Sequence, residues 1–274
     1  MENSNVVHVE TGKVFGNMNT NKAFYPEDYT AEQRKEAFLN NRTKAADYFG
    51  FKPKMTFMAL QNDKKGTYKK LDKEYVEAYD DGWDADINED ILLITDDIPE
   101  VVIGHPVADC PVVMMTDERH GISAIGHCSA EMIDKKLPMM IADALVEVAG
   151  SKDEDIYTYV SACAGSGWTY DKWPAWAKDE RLWKNAIYQD KKGIFHIDMR
   201  KVIAKQLDER QIYIPGNVDF NMDDTITDPF YYSNSAASPY GLNDKSKAGR
   251  NLAGLFYQRE KTKEKVLTKK HFTK

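Results

Sequence analysis

Residues 101–128, VVIGHPVADCPVVMMTDERHGISAIGHC, combine apolar runs of strand length with an Ala-Asp-Cys-Pro turn and an Asp-Glu-Arg-His-Gly turn. Cys110 lies in the first turn, and the apolar run after the second turn ends on His127, 17 residues later. If the runs form neighbouring strands, a thiol and an imidazole meet at one end of them. This pair is the feature from which we predict both the fold and the site.

The pair permits two kinds of chemistry. A thiolate and an imidazole can bind zinc and leave a coordination position for water. Alternatively, His127 can activate Cys110 as the nucleophile of a hydrolase or transferase. An isolated cysteine is often simply buried, but a turn before Pro111 is less typical of a core position. His105, five residues earlier, is interpreted first as a structural histidine.

Composition limits the class of protein. The chain has 274 residues, 42% of them hydrophobic, and a net charge of -7, which argues against general nucleic-acid binding. Three cysteines without regular spacing indicate a reducing compartment. We expect a cytoplasmic protein without a signal peptide or a membrane span, acting as a monomer or small homo-oligomer on a small molecule.

Local patterns predict alternating strands and helices. A capping box at 30–33 begins a helix that Gly50 ends, and residues 138–150 form a second helix between a proline and a glycine. Strands are predicted at 156–162 and 212–214, and residues 168–192 form a lid or a surface insertion. We therefore predict an α/β fold, a layered sandwich of mixed β-sheets with helices on the outer faces. It forms one domain over 1–258, followed by a basic tail at 259–274.

Several motifs carry a family resemblance in their order and spacing. They are Asn-Arg at 41–42, Ala-Asp-Cys-Pro-Val at 108–112, His127, and Gly-Arg at 249–250. From about residue 18 to 257 the chain resembles the laccase-domain family, long described as multicopper polyphenol oxidases. That family was later recognised as zinc-dependent purine nucleoside phosphorylases that also deaminate adenosine. The resemblance implies this fold and, as an expectation, this activity on a purine nucleoside and phosphate.

The resemblance also implies a ligand set. The family holds zinc with two histidines and a cysteine, which here retain Cys110 and His127, whereas the first histidine falls on or near Asp63. Asp63, Cys110 and His127 are thus the implied zinc ligands, with His105 as another source of nitrogen. Copper is the less expected metal, because one cysteine and few histidines cannot build the clusters that multicopper oxidation needs.

Other positions depart from the family pattern. Glu131 and Ser235 stand where the family has arginines, so Arg42 and Arg250 are the remaining candidates for binding substrate. The leading hypothesis is a divergent zinc-dependent enzyme of purine nucleosides. The alternatives are the thiol hydrolase or transferase and a non-catalytic homologue that binds a small ligand or a protein partner.

Overall fold

Two β-sheets stacked face to face form the centre of the fold. The computed structural model describes residues 5–59, 65–79, 85–238 and 243–259. Its strands are β1 Val6–Glu10, β2 Thr56–Ala59, β3 Tyr68–Lys70, β4 Ala85–Ile87, β5 Ile91–Thr95, β6 Val102–Val107, β7 Val112–Asp117, β8 Ile122–His127, β9 Ile156–Val160, β10 Trp168–Tyr170, β11 Ile187–Gln189, β12 Phe195–Ile197, β13 Val218–Phe220 and β14 Asn251–Tyr257. Its α-helices are α1 Ala31–Phe49, α2 Lys73–Glu77, α3 Ala130–Asp134, α4 Leu137–Ala149, α5 Glu180–Trp183, α6 Met199–Glu209 and α7 Asn234–Ala237.

Both large sheets are mixed, as predicted. The five-stranded sheet has the order β1-β14-β6-β2-β4, in which β2 runs parallel to both of its neighbours. The six-stranded sheet has the order β13-β9-β7-β8-β5-β3, in which the two edge strands run parallel to their neighbours. Antiparallel pairs join the remaining strands of each sheet, so β7 and β8 form a hairpin at the centre of the second sheet.

Three apolar clusters show how the layers are stacked. One cluster lies between the two sheets and includes Ile103 of β6, Leu255 of β14 and Ile125 of β8. A second joins α1 to the outer face of the five-stranded sheet. The third joins α3, α4 and α6 to the outer face of the six-stranded sheet. The fold is therefore a layered α/β sandwich with helices on its outer faces, which confirms the predicted class.

Helix ends follow the sequence signals. Thr30 accepts a hydrogen bond from the backbone of Gln33, whose side chain accepts one from the backbone of Thr30, and this capping box begins α1. Gly50 ends α1 in the left-handed conformation at φ 91°. Pro138 lies in the first turn of α4, and Gly150 ends that helix at φ 68°. No helix in the described ranges is both long and apolar enough to cross a lipid bilayer.

The strand predicted at 212–214 is wrong. Gln211 takes a positive φ of 65°, which turns the chain back on α6. The backbone N–H groups of Ile212 and Tyr213 then donate to the carbonyl of Leu207, at 2.9 and 3.2 Å. These residues therefore supply hydrogen-bond donors to a carbonyl at the end of α6. The apolar run resembles a strand in sequence, but it buries Ile212 beneath the helix terminus instead.

Residues 168–192 contain regular structure that their aromatic composition did not predict. β10 and β11 both pair antiparallel with β12 in a small separate sheet. The indole rings of Trp168 and Trp176 stack 5.3 Å apart, and Trp176 packs edge-on against the fully buried Trp183. Contacts between aromatic side chains thus stabilise this segment, which lacks the alternating apolar pattern typical of strands.

Candidate metal centre

Cys110 and His127 lie at the same end of the β7–β8 hairpin. Val112, the first residue of β7, is directly opposite His127, the last residue of β8. The pairing continues by one hydrogen bond, from the Cys128 N–H to the Pro111 carbonyl at 2.9 Å. Opposite residues of paired strands share a face, so Val112 and His127 lie on one face, and Cys110 lies in the bend two residues before Val112. The hairpin that the sequence predicted is therefore present, and a shared site of the two side chains stays a prediction.

His105 reaches the same place from the other sheet. It lies on β6 between Ile103 and Val107, which both belong to the cluster between the sheets. Alternation along the strand therefore directs His105 toward the second sheet, and its ring centroid lies 5.2 Å from that of His127. The Nε2 atom of His105 is buried and has no hydrogen-bond partner. A buried nitrogen without a partner is costly, so this atom is a candidate metal ligand.

Both imidazoles are neutral near neutral pH. Burial lowers the pKa of His127 to about 4, and the positive charge of Arg250 acts in the same direction. Burial also lowers the pKa of His105 well below its usual value, with a further contribution from His127. The neutral imidazole is the form that binds a metal ion. The protonation state of the pair thus suits metal binding.

Cys110 is half-buried and its thiol is protonated near neutral pH in the metal-free chain. Burial, and to a smaller extent the carboxylate of Asp109, raises the pKa of this thiol to about 12, although Arg250 acts in the opposite direction. A nucleophilic cysteine needs a lowered pKa, and a thiolate–imidazolium pair would need a charged His127. Neither condition holds, so the electrostatics disfavour the thiol hydrolase or transferase hypothesis.

Arg250 lies beside the same pair. It immediately precedes β14, and its guanidinium lies 4.4 Å from the centre of the Phe24 ring. Its backbone N–H donates to Asn17 Oδ1 at 2.8 Å, which fixes this part of the chain. Burial lowers the pKa of Arg250, and the negative charge of Asp109, joined by that of Cys110 once its thiol ionises, opposes that effect. A guanidinium thus lies near the thiol, and a role for Arg250 in binding substrate stays a prediction.

The other predicted residues are less directly connected to the pair. Arg42 is buried on α1 with its guanidinium 5.4 Å from the centre of the Phe38 ring. Its neighbour Asn41 donates to the carbonyl of Asn17, the residue that also holds Arg250. A role for Arg42 in binding substrate stays a prediction. Asp63 lies outside the described residues, and its role as a ligand also stays a prediction.

Asp109 organises the loop that carries Cys110, which the sequence did not indicate. Its Oδ1 accepts from the hydroxyl of Thr225 at 2.9 Å, and its Oδ2 accepts from the backbone N–H of Ser235 at 2.7 Å. Its own carbonyl accepts from the N–H of Ala164 at 2.7 Å. These partners are distant from Asp109 in the sequence. The only sequence signal for this role was the presence of an aspartate in the turn before Cys110.

The two positions that lack family arginines have local roles. Glu131 is exposed in the first turn of α3 and lies 3.4 Å from Lys135, so its charge is partly balanced. Ser235 lies in α7 and uses its backbone N–H to hold Asp109. Neither residue replaces the lost guanidinium, which leaves Arg250 as the arginine nearest to the thiol among those predicted.

The donor set fits zinc in chemistry but is incomplete within the described part of the chain. A cysteine thiolate and neutral imidazoles are typical zinc ligands. Over residues 5–59, 65–79, 85–238 and 243–259, however, no three His, Cys, Asp or Glu side chains lie close enough together to hold a metal ion. Asp63, the third ligand that the resemblance implies, lies outside these residues, and His105 would have to lie closer to the other two side chains to complete the set.

Comparisons with known proteins agree with this fold. A family model described as multi-copper polyphenol oxidoreductase laccase matches residues 16–256, and the chain belongs to that family. A search of curated proteins finds no match.

Solved structures are similar in fold at low sequence identity. The hypothetical protein YfiH of Bacillus licheniformis aligns with a TM-score of 0.69 at 19% identity, over 92% of this chain and 93% of that one. YlmD of Geobacillus stearothermophilus aligns with a TM-score of 0.64 at 15% identity, over 82% and 81% of the two chains. NMB0706 of Neisseria meningitidis aligns with a TM-score of 0.61 at 14% identity, over 93% and 95%. These similarities support the fold alone.

Proposed function

We propose that this chain is a zinc-dependent enzyme that acts on purine nucleosides. The observation that carries the proposal is the pairing of His127 with His105, whose buried Nε2 has no hydrogen-bond partner, at the end of the hairpin that Cys110 precedes. Membership of the laccase-like family supports a metal at this position, and the resemblance described above supplies the purine nucleoside. Arg250 beside the thiol supports binding of an anionic second substrate.

Cys110, His127 and His105 are the zinc ligands that we propose. His105 then takes the place of the family's first histidine, and Asp63 is the alternative third donor. A carboxylate is a harder ligand than an imidazole and would shift the preference among metals. When bound, zinc lowers the pKa of a coordinated water to roughly 7, which supplies a nucleophile near neutral pH.

Arg250 has the chemistry to bind phosphate, because a guanidinium donates two parallel hydrogen bonds to phosphate oxygens. Burial strengthens such a bond, since less solvent competes for the charge. With Glu131 and Ser235 in place of family arginines, the anion site is weaker than in the family pattern. We therefore expect deamination of adenosine to exceed phosphorolysis of any nucleoside.

The test is a panel of adenosine, inosine and guanosine, each incubated with zinc-loaded protein with and without phosphate. We expect inosine from adenosine, and free base only where phosphate is present. Cys110→Ala and His127→Ala should abolish both reactions. The matched control is His120→Ala, since His120 lies in the turn at the opposite end of the same hairpin.

Each negative outcome has a distinct meaning. Zinc-loaded protein that turns over no nucleoside would reject the proposed function and favour a non-catalytic homologue with a small ligand. Metal-free protein whose Cys110 reacts rapidly with a thiol reagent near neutral pH would favour the thiol enzyme instead. Unchanged activity in His127→Ala would show that the activity does not arise at this site.

A further inference from the structure

The side chain of Lys247 ends among main-chain oxygens. Its Nζ donates to the carbonyls of Ile226 and Asp228 at 2.7 Å each and to that of Thr225 at 3.1 Å. Lys247 is 5% exposed, which is unusual for a lysine, and burial lowers the pKa of its ammonium group. We call these oxygens the carbonyl cage. A full positive charge thus replaces solvent at the centre of a tight turn.

The carbonyl cage is coupled to the loop that carries Cys110. Thr225, whose carbonyl forms part of the cage, donates its hydroxyl to Asp109 Oδ1. The carbonyl of Lys247 itself accepts from the Ser233 N–H at 3.0 Å, and Ser235 in the same segment donates to Asp109 Oδ2. Lys247 therefore holds both chain segments that bind the Asp109 carboxylate.

We propose that the ammonium group of Lys247 is a built-in monovalent cation that positions Asp109, and through Asp109 the Cys110 thiol. A ring of carbonyl oxygens is also the environment that stabilises a potassium ion in place of its hydration shell. The ammonium group binds the carbonyl oxygens in the same way. Because it is tethered to the chain, it loses no translational entropy on binding. Removing the tether should leave a cage that potassium can enter.

The experiment compares Lys247→Ala in potassium, sodium and choline chloride at equal ionic strength. In choline chloride, we expect Lys247→Ala to melt at a lower temperature than the wild type. Potassium should restore most of this difference, and sodium should restore less of it. The wild type should show no such preference. Lys205→Ala is the matched control, because Lys205 also donates to a carbonyl, that of Arg181 at 2.8 Å, but lies at the surface.

A second readout reports on Cys110. It is half-buried whereas Cys128 and Cys163 are fully buried, so a thiol reagent added to folded, metal-free protein labels Cys110 first. We expect labelling to be roughly fivefold faster or more in Lys247→Ala than in the wild type, because the released loop exposes the thiol. Potassium should slow the labelling toward the wild-type rate, which a loss of bulk packing would not allow.

Thr225→Val separates positioning from general stability. It removes the hydroxyl that binds Asp109 and leaves the cage carbonyls in place, so labelling should accelerate without any dependence on potassium. Equal effects of potassium and sodium on Lys247→Ala, or a variant that fails to fold in every salt, would overturn the cation site. Unchanged labelling in both variants would overturn the positioning. No arm needs zinc or a nucleoside, so failure here is distinguishable from failure of the proposed function.

Discussion

The imidazole rings of His105 and His127 lie 5.2 Å apart between centroids, inclined by 39°, although they come from opposite sheets of the sandwich. His105 is on β6 of the five-stranded sheet and His127 ends β8 of the six-stranded sheet. Packing of the sheets therefore builds the histidine pair, and Cys110 lies in the bend before β7, at the end of the hairpin where His127 ends β8. Any metal bound there would join the two sheets.

Zinc binding should release about one proton near pH 7, and the proton should come from Cys110. The pKa of the thiol is raised to about 12, whereas that of His127 is lowered to about 4, so only the thiol has a proton to lose. Calorimetric titration in buffers of different ionisation enthalpy measures the number released. If zinc binding to Cys110→Ser released as many protons as zinc binding to the wild type, this assignment would be contradicted.

Glu10 should make the protein less stable as the pH rises. Burial raises the pKa of its carboxyl from 4.5 to about 7, although Ala162 N–H and Asn221 Nδ2 donate to Oε2. The folded state thus binds more protons than the unfolded state between these values. Stability is fully present below pH 4.5 and declines through pH 7, by roughly 3 kcal/mol in total.

Glu10→Gln removes this titration while keeping an acceptor oxygen. In urea unfolding at pH 5 and pH 8, the free energy of unfolding of the variant relative to that of the wild type should be higher at pH 8. Glu27→Gln, the same substitution at an exposed position, is the matched control. Parallel stability curves for Glu10→Gln and the wild type would mean that Glu10 titrates normally.

His196 should titrate above its usual pKa. Its Nδ1 lies 2.8 Å from the carbonyl of Ser166 and its Nε2 lies 3.3 Å from Asp190 Oδ2, so only the imidazolium can donate to both. The Ser166 hydrogen bond and Asp190 together raise the pKa of His196. The stability that this gives is present below pH 6.5 and is lost as the pH rises through the folded-state value.

Nuclear magnetic resonance of the imidazole carbons measures this titration directly. The pKa of His196 should exceed 6.5 in the wild type and fall in Asp190→Asn, while that of His127 stays near 4 in both. A wild-type value at or below 6.5 would show that Asp190 and Ser166 do not share the imidazolium in solution.

Loss of the capping box should weaken α1. Thr30→Ala removes the hydroxyl that accepts from the Gln33 N–H, which costs about 1 kcal/mol of unfolding free energy. Thr43→Ala is the control, because Thr43 bonds the Leu39 carbonyl within the same helix and alanine is the better helix former there. Equal destabilisation by the two substitutions in urea unfolding would argue against the cap.

The sequence predicted features that depend on neighbouring residues. The capping box at Thr30, the helix between Pro138 and Gly150, and the hairpin that ends on His127 all follow from local patterns and a short turn. The strand predicted at 212–214 failed because the end of α6 competes for the same backbone groups. Local pattern cannot reveal such competition.

Contacts between distant parts of the chain were beyond the sequence. Asp109 binds Thr225 and Ser235, and the Lys247 ammonium binds the turn that begins with Thr225. These partners converge only once β9 and β14 have joined their sheets. His105 was interpreted as structural for the same reason, since nothing local to β6 shows that it faces His127 across the sandwich.

The most direct test of the central claim is the zinc content of protein purified after saturation with zinc and removal of the unbound metal. The account predicts about one zinc ion per wild-type chain and per His120→Ala chain, with strong losses in Cys110→Ala, His127→Ala and His105→Phe. Zinc retained by His105→Phe but lost from Asp63→Asn would assign the third donor to Asp63. Wild-type protein without zinc, or Cys110→Ala and His127→Ala with the wild-type content, would contradict the account.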